Sequence, residues 1–203
     1  MLENILNEDE KDCLQELINI SYGTASASIS EILDSFATLK VPRIKLLKSL
    51  QLKDYLINND SSNDIQFVVS QIIHGNFSGE NIFLINKDSA FKLAEILNED
   101  EDVNIEEVSD VVLEITNILS SATIGKFSEL LDTKVSFQAP SLEIIDSLED
   151  FNENRIKDFN EVIIISTILE FDKLNVKGEL ILLTKDESIK KLKDELQKIL
   201  EEY

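Results

Sequence analysis

One pattern near the start of the chain returns farther on at a fixed distance. Asp12, Glu16, Asn19 and Pro42 correspond to Asp110, Glu114, Asn117 and Pro140, with the same offset of 98 at all four positions. The offset also carries Ser30-Glu31-Ile32-Leu33 onto Ser128-Glu129-Leu130-Leu131, and the two prolines, which are the only ones in the chain, sit at matching places. A chain that repeats itself once without a gap is expected to fold as two like units. We place them at about 8–97 and 105–203, joined in one pseudo-two-fold domain spanning 1–203.

At about 100° per residue, helix positions i, i+4 and i+7 fall within roughly 60° of one another. Asp12, Glu16 and Asn19 therefore share a stripe, while Leu14, Leu17, Ile18, Ala25, Ile29 and Ile32 point to the opposite side. The pattern predicts a long helix over 8–34 with a carboxylate and a carboxamide on its solvent face and an apolar back. A lone Glu-x-x-Asn on a helix surface is commonplace; its duplication at the fixed offset singles it out.

Pro42 opens an extended segment to about Leu52, since a missing N–H is tolerated at the start or edge of a strand. Asn58–Asp64 reads as a polar loop, and 65–73 with 77–85 as an antiparallel hairpin around His74-Gly75-Asn76. A short amphipathic helix follows over 88–97, with Asp88 or Ser89 as its cap, and Asn98–Asn104 is an acidic connector. The second half then gives a helix over 105–131, an extended run over 134–145 through Pro140, a polar helix or lid-like insertion over 147–159, a hairpin of 161–171 with 176–184, and a closing helix over 186–202. The order helix, strand, hairpin, helix occurs twice. The expected class is α+β, an α/β sandwich in which both hairpins join a mostly antiparallel sheet with the two long helices packed outside it.

With 203 residues, 43% of them hydrophobic, the chain can bury one sizeable core. Nineteen basic against forty acidic residues leave a net charge of -21, which repels phosphate backbones and anionic membrane surfaces, so neither nucleic acid nor membrane is expected as a partner. One cysteine forms no internal disulfide, no run is long enough to span a bilayer, and the N-terminus lacks the look of a secretion signal. The chain reads as cytoplasmic. His74 is the only histidine, which excludes a paired-His metal site, and Cys13 has no second candidate near it in sequence. No phosphate-binding glycine loop is present.

Taken together, D-x3-E-x2-N-x22-P present twice resembles the signature of the bacterial chemotaxis phosphatases CheC, CheX and FliY. Both copies match without a gap and the resemblance covers essentially the whole chain. Two intact pairs resemble CheC rather than CheX, and the lack of a following flagellar-switch domain sets FliY behind CheC. The family's glycine-rich run after the Asn is here Asn19-Ile20-Ser21-Tyr22-Gly23-Thr24-Ala25, and the second copy, Asn117-Ile118-Leu119-Ser120-Ser121-Ala122, keeps no glycine.

The resemblance implies hydrolysis of the aspartyl phosphate on a CheY-like receiver. Asn19 and Asn117 would orient the attacking water, since a carboxamide both accepts and donates hydrogen bonds without titrating. Glu16 and Glu114 would fix the receiver. Asp12 and Asp110 accompany the motif without a direct part in chemistry. Mg2+ and the phosphorylated Asp would both belong to the receiver, leaving this chain with no cofactor of its own. The resemblance also implies, as an alternative role, an adaptor that binds a receiver or a CheD-type receptor deamidase without turnover.

Overall fold

The computed structural model describes residues 6–32, 37–40, 43–59, 64–152, 161–171, 176–184 and 186–201. Among them run five α-helices and eight strands in the order α1 (Glu8–Ile32), β1 (Ala37–Leu39), β2 (Arg43–Lys48), α2 (Leu52–Asn59), β3 (Gln66–Gly75), β4 (Gly79–Asn86), α3 (Lys87–Asn98), α4 (Ile105–Leu130), β5 (Val135–Phe137), β6 (Ser141–Ile145), β7 (Glu161–Phe171), β8 (Val176–Thr184) and α5 (Asp186–Glu201). Pro42 and residues 153–160, most of the expected insertion, lie outside the described residues.

All eight strands form one antiparallel sheet, in the order β1-β7-β8-β4-β3-β5, with β2 also on β7 and β6 also on β3. The short strands cross over: β1 and β2 of the first half pair with β7 of the second, and β5 and β6 of the second pair with β3 of the first. Register makes the pseudo-two-fold concrete. Arg43 stands opposite Ser166 and Ser141 opposite Ser70. Since Arg43 and Ser141 correspond by the offset, so do Ser70 and Ser166, and next along them Gln71 and Thr167.

The hairpin strands read as near-continuous apolar runs because both faces of the sheet are covered. On one face Phe67, Val69, Phe83, Ile163, Ile165 and Leu182 pack under the helices, in a core shared with Leu14, Ile18, Ile29, Val112, Ile115 and Leu119. The other face is covered as well. Val68, Ile82, Ile164 and Ile181 there lie beneath Leu52, Tyr55, Leu56, Leu148 and Phe151. The extended run expected to reach Leu52 accordingly stops at Lys48, and a 3-10 turn over Ser49–Gln51 leads into α2. Leu52, Tyr55 and Leu56 stand at i, i+3 and i+4, so a single helical turn buries all three, and the Tyr55 hydroxyl meets Ser166 Oγ at 2.9 Å. Part of the expected insertion folds back for the same purpose, as Leu148 and Phe151 around a 3-10 turn at Leu148–Asp150.

Helix ends correct two further expectations. Asn86, not Asp88 or Ser89, caps α3, its side chain accepting from the Ser89 N–H at 2.9 Å. Ile32, counted in the apolar stripe, is 46% exposed at the last residue of α1, so the buried stripe ends at Ile29. Both long helices start with a reciprocal cap, Asn7 with Glu10 and Asn104 with Glu107. Glu10 is also buried: Gln197 Nε2 donates to Oε1 at 2.8 Å and Lys193 Nζ lies 3.6 Å from Oε2, tying α1 to α5.

Gly75 ends β3 at φ +126, where a side chain would be strained, and a Cβ there would lie 2.3 Å from the Lys134 carbonyl oxygen. The glycine lets β5 close against β3 and so brings Gln138 alongside His74 and Gln71.

Candidate functional site

The long helices pack against each other and against the sheet, leaving each motif stripe outward. Asp12, Glu16 and Asn19 on α1 are exposed, as are Asp110, Glu114 and Asn117 on α4. Pro140 is half-buried immediately before β6. One turn beyond Asn19, Gly23 is exposed and a Cβ added to it would meet nothing within 4 Å. Packing within the chain therefore does not require a glycine there, although it costs helix stability, about 1 kcal/mol relative to Ala. The matching residue in α4 is Ser121, which turns its hydroxyl back to the Asn117 carbonyl at 2.6 Å.

The two carboxamides are held differently. Asn19 Oδ1 accepts from Gln15 Nε2 at 3.2 Å, a contact along the surface of the same helix, of a kind worth about 0.2–0.5 kcal/mol. Asn117 Oδ1 accepts from Gln71 Nε2 at 3.0 Å, and Gln71 reaches up from β3 in the sheet. The same nitrogen donates to the Gln138 backbone carbonyl at 3.0 Å, and the Gln138 side chain lies 2.8 Å from His74 Nε2. Thr167, the counterpart of Gln71, bonds the carbonyl of Lys40, the counterpart of Gln138, and its shorter side chain extends no farther. The sequence reading missed Gln71 because its partners lie on α4 and on the Gln138 segment; the polar pair Ser70-Gln71 inside the apolar run Phe67–Ile73 was the available sign.

The two windows after the repeated helices differ in charge. Residues 37–53 carry Lys40, Arg43, Lys45, Lys48 and Lys53 with no acidic residue, whereas the offset window 135–151 carries Glu143, Asp146, Glu149 and Asp150 with no basic one. In a chain of net charge -21, the first window is a basic edge whose side chains are engaged away from the α1 stripe: Lys40 is drawn to Glu170 at 2.8 Å, Lys45 lies 4.9 Å over the Tyr55 ring on the other face of the sheet, and Lys53 approaches Glu149 of the second window at 4.0 Å.

The remaining reactive side chains point elsewhere. Cys13 is half-buried, and burial pushes its thiol up, away from the thiolate a nucleophile needs. His74 is exposed and paired with an amide. Among the described residues no three His, Cys, Asp or Glu side chains gather to hold a metal ion, and no helix is long and apolar enough to cross a membrane. What the site offers is two outward carboxamide and carboxylate pairs, suited to positioning and charge contact across an interface and not to covalent chemistry.

No family model matches the chain. In sequence it is 22% identical, over 174 residues making up 83% of the chain, to the flagellar motor switch phosphatase FliY of Bacillus subtilis strain 168, and it spans 44% of that protein's length. Its fold is similar to the crystal structure of Thermotoga maritima FliY, with a TM-score of 0.72 at 22% identity, covering 95% of this chain and 98% of that one. It is also similar to the chemotaxis protein CheX of Desulfovibrio desulfuricans, with a TM-score of 0.55 at 15% identity, covering 84% and 99%. The resemblance read from the duplicated motif is thus met in sequence and in fold, and FliY, which the sequence had set behind CheC, stands among both kinds of relative.

Proposed function

We propose that this chain, which groups with the CheC/CheX/FliY family, hydrolyses the aspartyl phosphate of a CheY-like receiver. The observation that carries the reading is that both Glu-x-x-Asn pairs stand exposed at pseudo-equivalent places on the outer faces of the two long helices. Fold alone would not assign the activity, because one fold hosts many functions; the site has to.

In this reading Asn19 and Asn117 each place a water in line with the breaking P–O bond, using one carboxamide group to accept and the other to donate. Glu16 and Glu114, one turn before them, take a basic residue of the receiver and set the register of the Asn. Gly23 leaves the approach to the first pair open. Mg2+ and the phosphoryl group come with the receiver. The test is the decay rate of a purified phosphorylated receiver with and without the chain. Binding without faster decay would instead favour the adaptor role, toward a receiver or a CheD-type deamidase.

One further outcome is expected. Glu16→Ala with Glu114→Ala should raise KM about tenfold and change kcat little, because the lost contact acts on docking equally in ground and transition states; a fall in kcat at unchanged KM would place the glutamates in the chemistry.

A further inference from the structure

We propose that Gln71 is a positioning residue for Asn117, so that the second site is pre-organised from within the sheet while the first is not. The inference rests on the phosphatase reading for its meaning and on geometry for its content. Gln71 is 1% exposed, and its Nε2 donates to two acceptors at 3.0 Å, the Asn117 side-chain oxygen and the Gln138 backbone carbonyl. The Gln138 peptide is fixed in turn, its N–H donating to the Ile72 carbonyl at 3.0 Å. A planar amide whose oxygen is gripped from the buried side turns its N–H2 group the other way, toward solvent, and keeps one oxygen lone pair for a water. Asn117 is then held ready, whereas among the described residues Asn19 meets only the half-buried Gln15 on its own helix.

Stability does not account for the glutamine. Its Oε1 is buried and meets no donor among the described residues, a condition that costs about 1–3 kcal/mol. Thr167, at the equivalent register, satisfies the equivalent backbone carbonyl with a smaller side chain. A residue that pays for burial where threonine suffices, and that spends its second N–H on an exposed carboxamide, serves that carboxamide.

The decisive variant is Gln71→Thr, which installs the residue the fold already accepts at 167. On the Asn19→Ala background, where only the second site works, kcat for a phosphorylated CheY-like receiver should fall about tenfold with KM unchanged, the size expected for a reacting group no longer held in place. On the Asn117→Ala background the same change should leave the rate of the first site where it was, and the melting temperature should not fall. Equal losses on both backgrounds, a loss confined to KM, or no loss on the first background would overturn the assignment. A second readout needs no catalysis: in the full chain, Gln71→Thr should shift and average the Asn117 side-chain amide signals in NMR spectra, and unchanged signals would overturn it. If wild-type chain gives no Asn-dependent hydrolysis while those signals shift, the phosphatase reading fails and the hold of Gln71 on Asn117 stands.

Discussion

Replacing Asn19 and Asn117 together by alanine is expected to abolish accelerated dephosphorylation while leaving the fold intact. Both side chains are exposed, so truncation should change stability by no more than about 0.5 kcal/mol. The bonds from Gln15 and Gln71 are lost, but Gln71 keeps the Gln138 carbonyl. A water-orienting amide acts in the transition state, so turnover should collapse by about 10²-fold or more with far less effect on affinity. Each single variant should retain part of the rate, with Asn117→Ala losing more than Asn19→Ala because the better-held site is removed. The measurement is receiver dephosphorylation beside a thermal melt, and a folded double variant that keeps full activity would end the mechanism.

The largest stability effect outside the apolar core is expected at Glu10. Burial alone would push its carboxyl up, but the Asn7 N–H, the Gln197 amide and the Lys193 ammonium outweigh that and hold it below the usual carboxylate value. A depressed folded value adds stability that is complete above the unfolded value, about pH 4.3, and is lost as pH falls through the folded one. Glu10→Ala removes the cap of α1 and its tie to α5 together, at a cost of about 2–3 kcal/mol. Glu10→Gln keeps the shape, so its melting temperature should fall less steeply than that of the wild type between about pH 4.5 and 3. Parallel acid profiles would show that Glu10 is not held as described.

Much of this architecture was legible because periodicity and burial agree. The second hairpin occupies 161–171 and 176–184 as read, since a run such as Val162–Ile165 is apolar on both faces only if the sheet is covered twice. The same fact held the clue to the element that was missed. Something had to cover the second face, and Leu52, Tyr55 and Leu56 have helical spacing, but eight residues between a strand and a polar loop give too short a pattern to compete with the β-like stretch before it. The caps at Asn7 and Asn104 are plain Asn-x-x-Glu signals. Glu16, Asn19, Glu114 and Asn117 stood out only through duplication. Gln71 could not be found that way, because the repeat breaks there: its counterpart is Thr167, and the contact joins residues 46 apart in the chain.

The exchange of short strands between halves sets the order in which the molecule can assemble. β2 ends at Lys48, but its partner β7 begins at Glu161, so on a ribosome the first must wait until most of the chain has emerged. Contacts so distant in sequence slow folding, and an unpaired strand is open to the wrong neighbour throughout the delay. The waiting strand reads Arg-Ile-Lys-Leu-Leu-Lys. Its own charges repel a second copy of itself, which makes the basic edge a safeguard of the nascent chain as well as a feature of the finished surface.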